Sequence, residues 1–212
     1  VPSVTEKART AVLVDFGGVI TSSVLRAFTA FGASLGGDPR LPLDLLSRDQ
    51  PSRTLLADHE SGRIDAEAFE RGFAERLRVH GADVQAEGLT ARMQAGMSID
   101  QDVLALLEDL RAAGYPVALV SNSFGTGTYD GVDLAAVADA VVISAEVGIR
   151  KPSRRIYAIA CERLGVTPEE AVMIDDLQQN LDGAARIGIE GVLHTGASDT
   201  RRQLAERFRI IA

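Results

Sequence analysis

Short apolar runs that stop abruptly at polar residues recur along the chain. Residues 11–14 end at Asp15, with Gly17 and Gly18 just beyond, and residues 116–120 end at Ser121 and Asn122. Residues 140–143 stop at Ser144, 171–174 at Asp175 and Asp176, and 191–193 at His194. Runs of this length, bounded by turn residues, predict buried strands that enter tight loops. Helical spacing fills the intervals. Asp100 is placed to cap a run containing Val103, Leu104, Leu106, Leu107 and Leu110 before Gly114, while patterns over 153–164 and 181–187 stop at Gly165 and Gly188. Strand alternating with helix predicts an α/β fold, a Rossmann-like parallel sheet with covering helices. In such a sheet the ligand crevice lies at the carboxyl ends of the strands, so the polar strand ends are expected to converge.

Residues 22–98 break this rhythm. They contain no strand pattern but several amphipathic stretches, notably 65–80 with Phe69, Phe73 and Leu77 on one face. Gly36, Gly37, Asp38 and Pro39, then Ser61 and Gly62, then Gly81 punctuate the segment into roughly four helices. The expected organisation is an α/β core from 1–21 and 99–212, with a helical module over 22–98 inserted between its first strand and the rest.

Composition narrows the possible functions. At 212 residues and 46% hydrophobic, the chain suffices for one core and a small attached module. Its most apolar windows, 11–20 and 137–149, are short and carry Asp15, Asp139 and Glu146, so neither is expected to cross a membrane. A net charge of −8 without a Lys/Arg cluster argues against a nucleic-acid surface, whereas a small anionic ligand needs only a local site. Residues 1–7 lack the basic start and apolar stretch of a secretory leader, which makes the cytoplasm the expected location. Cys161 falls in a helical pattern and is expected to be a buried structural thiol. His59, His80 and His194 lack metal-ligand spacing; the first two are expected to be exposed on helices, and no zinc site is expected. An exposed apolar face on the helical module leaves monomer and homodimer both open.

Taken singly, the strand-end residues have ordinary explanations. Asp15 can start a turn, Ser121 and Asn122 can cap one, Lys151 can be a solvated loop charge, and Asp176 can cap the next helix. Adjacent acids after a buried strand, Asp175 and Asp176, repel each other unless a cation or donors compensate. Taken in order, Val12-Leu13-Val14-Asp15-Phe16-Gly17-Gly18-Val19, Leu119-Val120-Ser121-Asn122, Arg150-Lys151-Pro152 and Met173-Ile174-Asp175-Asp176 through Asn180 resemble the four motifs of the haloacid dehalogenase-like superfamily. The insert resembles that family's helical cap. The forms around Asp15 and Asp175 are similar to the branch containing sugar-phosphate phosphatases and the N-terminal phosphatase domains of epoxide hydrolases.

The resemblance implies a hydrolase in which Asp15 is a carboxylate nucleophile toward a small phosphate ester, forming an aspartyl phosphate that water hydrolyses. It implies Mg²⁺, held by Asp15, the Gly17 carbonyl and Asp176. Lys151, Ser121 and Asn122, with the Gly17-Gly18 turn, would bind the phosphate. Asp175 would hold Lys151 or reach the metal through water, and Asn180 would ligate likewise or fasten the loop.

One position departs from the family pattern. Most of its phosphatases carry a second Asp two residues after the nucleophile, as general acid and base, and here that residue is Gly17. Such help is worth about 10² to 10⁴ in rate. Three readings follow. A cap residue, water or an easily expelled leaving group makes up the loss; the protein is a 2-haloacid dehalogenase-like hydrolase, a branch that also lacks this acid; or the site binds a phosphorylated ligand, or packs in a complex, with little turnover.

Overall fold

The computed structural model describes residues 8–210; the expectation about a leader falls on residues 1–7, outside them. Five strands, β1 (Ala11–Val14), β2 (Val117–Ser121), β3 (Ala140–Ile143), β4 (Ala171–Asp175) and β5 (Glu190–Leu193), form one parallel sheet in the order β3-β2-β1-β4-β5. The first strand is central, and the order reverses between β1 and β4, the place where such sheets open a crevice. Val14 stands level with Leu119 on one side and Ile174 on the other. The carboxyl ends of β1, β2 and β4 therefore bring Asp15, Ser121 and Asp175 side by side.

Helices cover both faces. Val12, Val14, Leu119 and Ile174 pack toward Val103, Leu106 and Leu110 of α6 (Gln101–Ala112) and Leu204 of α11 (Ala197–Phe208). Leu13, Val120 and Met173 pack toward Ile156, Tyr157 and Cys161 of α9 (Arg154–Leu164) and Leu181 of α10 (Gln178–Ala185). Burial on both faces is why the strands read as unbroken apolar runs instead of alternating ones. Short helices α7 (Leu134–Val137) and α8 (Ser144–Val147) flank β3. The final helix α11 escapes the sequence pattern because it buries only Thr200 and Leu204, too few apolar positions to show a period.

Between β1 and α6 lie five helices rather than roughly four: α1 (Val24–Ser34), α2 (Leu41–Arg48), α3 (Gln50–Glu60), α4 (Ala66–Val79) and α5 (Leu89–Gln94). The unanticipated boundary is Asp49. Its extended ψ of 114° stops α2, and its carboxylate accepts the Ser52 N–H at 3.1 Å to start α3, with Pro51 in the first turn. No glycine marks the break; the local signal for it is the pair of Asp49 as cap and Pro51 in the first turn, which the glycine-based division into four helices passes over. These helices share a core of their own that includes Phe28, Phe31, Phe69, Phe73, Leu77 and Met93. The chain enters and leaves the segment side by side, through an antiparallel bridge between Thr21 and Ile99 and a hydrogen bond from Ser22 N to Ser98 O of 2.8 Å.

His59 corrects an expectation. It is buried at the end of α3, its ring stacked on Phe69 with centroids 4.8 Å apart, and its Nε2 accepts the Gly125 N–H at 2.8 Å. His80 is exposed, and Cys161 is buried. Among the described residues no helix is long and apolar enough to cross a membrane.

Candidate active site

The strand ends build a buried charge cluster. Asp15 leaves β1 into a tight one-turn loop over Phe16–Ile20. Its Oδ1 accepts the Phe16 N–H at 2.6 Å and meets Lys151 Nζ at 2.7 Å, which leaves Oδ2 to the cavity. Lys151 is 1% exposed and its Nζ also donates to Asp175 Oδ2 at 2.8 Å. The solvated-charge explanation for this lysine is thereby excluded. Burial opposes its positive charge, yet the two carboxylates more than offset that and hold its pKa well above the ordinary lysine value.

Asp175 spends its carboxylate on structure. Besides Lys151, it accepts the Leu177 N–H and the Asn180 side-chain amide, both at 2.9 Å, starting α10. Asn180 thus fastens the loop. Asp176 makes no cap at α10 and presents its half-buried carboxylate to the cavity beside Gly18. That approach demands glycine: at Gly18 φ is +82°, and an added Cβ would sit 2.2 Å from Asp176 Oδ2. The Gly18 N–H donates to Thr21 Oγ1 at 3.1 Å, and the lack of a side chain at Gly18 serves the Asp176 approach.

One carboxylate oxygen each from Asp15, Asp175 and Asp176 lies within 4.8 Å of the others. Three carboxylates against the single ammonium of Lys151 leave a formal charge of −2. Burial raises the Asp15 carboxyl to about 8, with Asp175 and Asp176 adding to the effect and Lys151 opposing it. Burial, then Asp175, raises Asp176 to about 6. A divalent cation that prefers oxygen ligands fits this donor set and would reverse both shifts.

Ser121 and Asn122 differ in what they offer. Ser121 Oγ is the acceptor for Tyr129 O–H at 3.0 Å and faces the cavity. Asn122 turns its side-chain amide to the Lys151 backbone, accepting the N–H at 2.8 Å and donating to the carbonyl at 3.3 Å. It therefore positions the lysine loop. Burial raises the Tyr129 hydroxyl to about 12, so it stays a donor at neutral pH.

A cavity of about 350 Å³ opens from this cluster toward the helical segment. Asp15, Gly17, Ser121, Lys151 and Asp176 form its floor, and Val24, Phe28, Leu43, Leu46, Leu56 and Met97 supply apolar walls. Three residues beside the floor were not singled out by sequence: Tyr129, Arg150 and Glu60. Glu60 lines the cavity from the end of α3, and its Oε2 lies 2.5 Å from Arg150 Nε. Burial raises its carboxyl to about 7, against the opposing influence of Arg150, Lys151 and Asn122. Arg150 is adjacent to Lys151 and was visible as part of that motif; nothing in the periodicity of α3 distinguishes Glu60.

Fold and cluster together define a hydrolase built on a parallel sheet with an inserted helical segment. The haloacid dehalogenase-like hydrolase model matches residues 10–188, and the chain belongs to that family. It is 33% identical over 112 residues to (S)-2-haloacid dehalogenase 4A of Burkholderia cepacia, covering 50% of this chain and 48% of that one. It is 35% identical over 92 residues to glyceraldehyde 3-phosphate phosphatase of Methanopyrus kandleri, covering 42% and 40%. The matches thus span about half the length of these relatives. A HAD family enzyme from Bacteroides thetaiotaomicron, solved in complex with magnesium and inorganic phosphate, shares the fold at a TM-score of 0.61 and 23% identity, over 86% of this chain and 92% of that one.

Proposed function

We propose that this hydrolase is a Mg²⁺-dependent phosphatase that transfers the phosphoryl group of a small ester first to Asp15 and then to water. The observation that carries this reading is the uncompensated charge of the Asp15, Asp175 and Asp176 cluster, which one lysine does not balance. Asp15, the Gly17 carbonyl and Asp176 would hold the ion, with Asp175 behind them. When bound, it would supply positive charge to the phosphoryl oxygens and relieve repulsion between two anions. With Oδ1 held by Lys151, Asp15, which lines the cavity, would attack through Oδ2. Lys151 Nζ and Ser121 Oγ would meet the phosphoryl oxygens, and Asn122 would keep Lys151 in place.

We read residues 22–98 as a cap over a core of 1–21 and 99–212. The cap walls the cavity with side chains such as Phe28, Leu43 and Leu46. These walls are mostly apolar, with Arg150 and Gln94 among the polar lining, so the organic part of the ester is read as at least partly apolar. Phosphate release across a panel of esters, with Mg²⁺ and with EDTA, tests the reading. Activity should require metal and disappear in Asp15→Asn; activity unchanged by that substitution would remove the nucleophile.

Gly17 and the dehalogenase relative favour a second reading, displacement at the carbon of a 2-haloacid. Such metal-free chemistry has no use for the excess negative charge at Asp176. Chelator-insensitive halide release would establish it in place of the first.

A further inference from the structure

We propose that Glu60, carried by the cap helix α3, is the acid and base that stands in for the carboxyl absent at position 17. The inference rests on the phosphatase reading and names its missing proton donor. Among the described residues, the ionisable side chains lining the cavity are Asp15, Asp176, Lys151, Arg150 and Glu60. Asp15 is the attacking group, Asp176 faces the cation site, and Lys151 is locked between two carboxylates. A guanidinium is too weak an acid to give up a proton near neutrality. Glu60 is the carboxyl that remains.

Its position is fixed from both sides. His59 Nε2 accepts the Gly125 N–H at 2.8 Å, Ser144 Oγ donates to the Glu60 carbonyl, and Gly62 lies so close to Ala145 that an added Cβ would meet its carbonyl oxygen at 2.6 Å. Three points of one turn are thus anchored on the loop at Gly125 and on α8, and the side chain between them enters the cavity. Glu60 is 8% exposed, and its Oε2 is ion-paired with Arg150 Nε at 2.5 Å. The carboxyl is therefore held beside a cation that stabilises its anion, whereas Asp175 is bound at once by Lys151, the Leu177 N–H and the Asn180 amide. A carboxyl raised by burial to about 7 is populated in both protonation states near neutral pH.

In the first step a bond forms between Asp15 Oδ2 and phosphorus as the ester P–O bond breaks, and the departing oxygen takes the Glu60 proton. The resulting carboxylate is stabilised by Arg150. In the second step Glu60 takes a proton from the water attacking phosphorus, the bond to Asp15 breaks, and inorganic phosphate is released with both carboxyl groups restored.

The test is a rapid-mixing measurement of alcohol release in the first step, with an apolar alkyl phosphate and with 4-nitrophenyl phosphate, whose leaving anion needs no proton. Glu60→Gln should slow release of the alkyl alcohol by about 10² to 10⁴ and slow nitrophenol release far less. In the unaltered protein, the alkyl rate should fall as pH rises through about 7, a limb that nitrophenol release lacks. The charged groups facing Glu60 are Arg150 and Lys151, and the Asp15 and Asp175 carboxylates hold the Lys151 ammonium well above the ordinary lysine value. Equal slowing of the two esters, or the same pH limb for both, would assign Glu60 to cap docking and overturn the proposal. No phosphate release from either ester by the unaltered protein would remove the phosphatase reading and this inference together.

Discussion

Replacing Lys151 with methionine tests whether one buried ammonium holds the acid cluster together. Lys151 is 1% exposed and lies 2.7 Å from Asp15 and 2.8 Å from Asp175. Methionine keeps most of the apolar stem, so the principal loss is the charge. Removing one partner of a buried pair costs about 3 to 5 kcal/mol, because the carboxylates left behind must stay desolvated or take up protons. That is a large share of the roughly 5 to 15 kcal/mol that stabilises a typical domain. The pH dependence carries a sign. Asp15 is raised from 3.8 to about 8 by burial, even with Lys151 beside it. A carboxyl raised on folding holds a proton in the native state that the unfolded chain releases, so its contribution falls as pH climbs from about 4 to about 8. Without Lys151 the raised value moves higher and the fall continues past about pH 8, where that of the wild type levels off. Urea unfolding in EDTA, followed by circular dichroism at about pH 8 and above, measures both effects. A loss below about 1 kcal/mol, or parallel pH curves for the two proteins, would refute the claim that Lys151 is the countercharge of the cluster.

Gly18→Ala should weaken Mg²⁺ binding at least about tenfold, read by calorimetric titration, because its Cβ displaces Asp176; unaltered affinity would separate Asp176 from the metal. Gly17→Asp is placed to restore the missing acid, since Gly17 has an ordinary φ of −73° and its nearest obstacle is Val24 Cγ2 at 3.0 Å. Combined with Glu60→Gln, it should recover alkyl phosphate turnover by about tenfold or more, and no recovery would count against the acid as the lost function. Phe73→Ala, in the core of the helical segment, should cost about 3 to 5 kcal/mol in chemical denaturation; a cost under about 1 kcal/mol would mean that this core contributes little to folding.

The strand ends were legible because a strand buried on both faces leaves an apolar run that only a polar loop interrupts, as at Asp15, Ser121 and Asp175. Legibility faded where tertiary contact replaces periodicity. The α2 to α3 break depends on Asp49, whose carboxylate caps α3 and pairs with Arg76 at 2.8 Å; the cap has a local signature with Pro51, but the partner 27 residues away has none. His59 is buried because the core loop at Gly125 reaches it, not because of its neighbours in α3. The division of labour in the site was similarly hidden. Sequence brings Ser121, Asn122, Asp175, Asp176 and Asn180 together but does not show that Asn122 and Asn180 spend their amides on Lys151 and Asp175. Glu60 enters the cavity only because the end of α3 meets Gly125, Ser144 and Ala145, a contact between distant parts of the chain that no local pattern records.

The central claim, phosphoryl transfer to Asp15, is tested most directly by acid-quenching the enzyme during turnover of a phosphate ester with Mg²⁺ and mapping the modified peptide by mass spectrometry. Asp15 should carry one phosphoryl group, absent in EDTA and absent in Asp15→Asn. Steady phosphate release by an enzyme whose Asp15 never carries phosphate, or a phosphoryl group trapped on another residue, would contradict it.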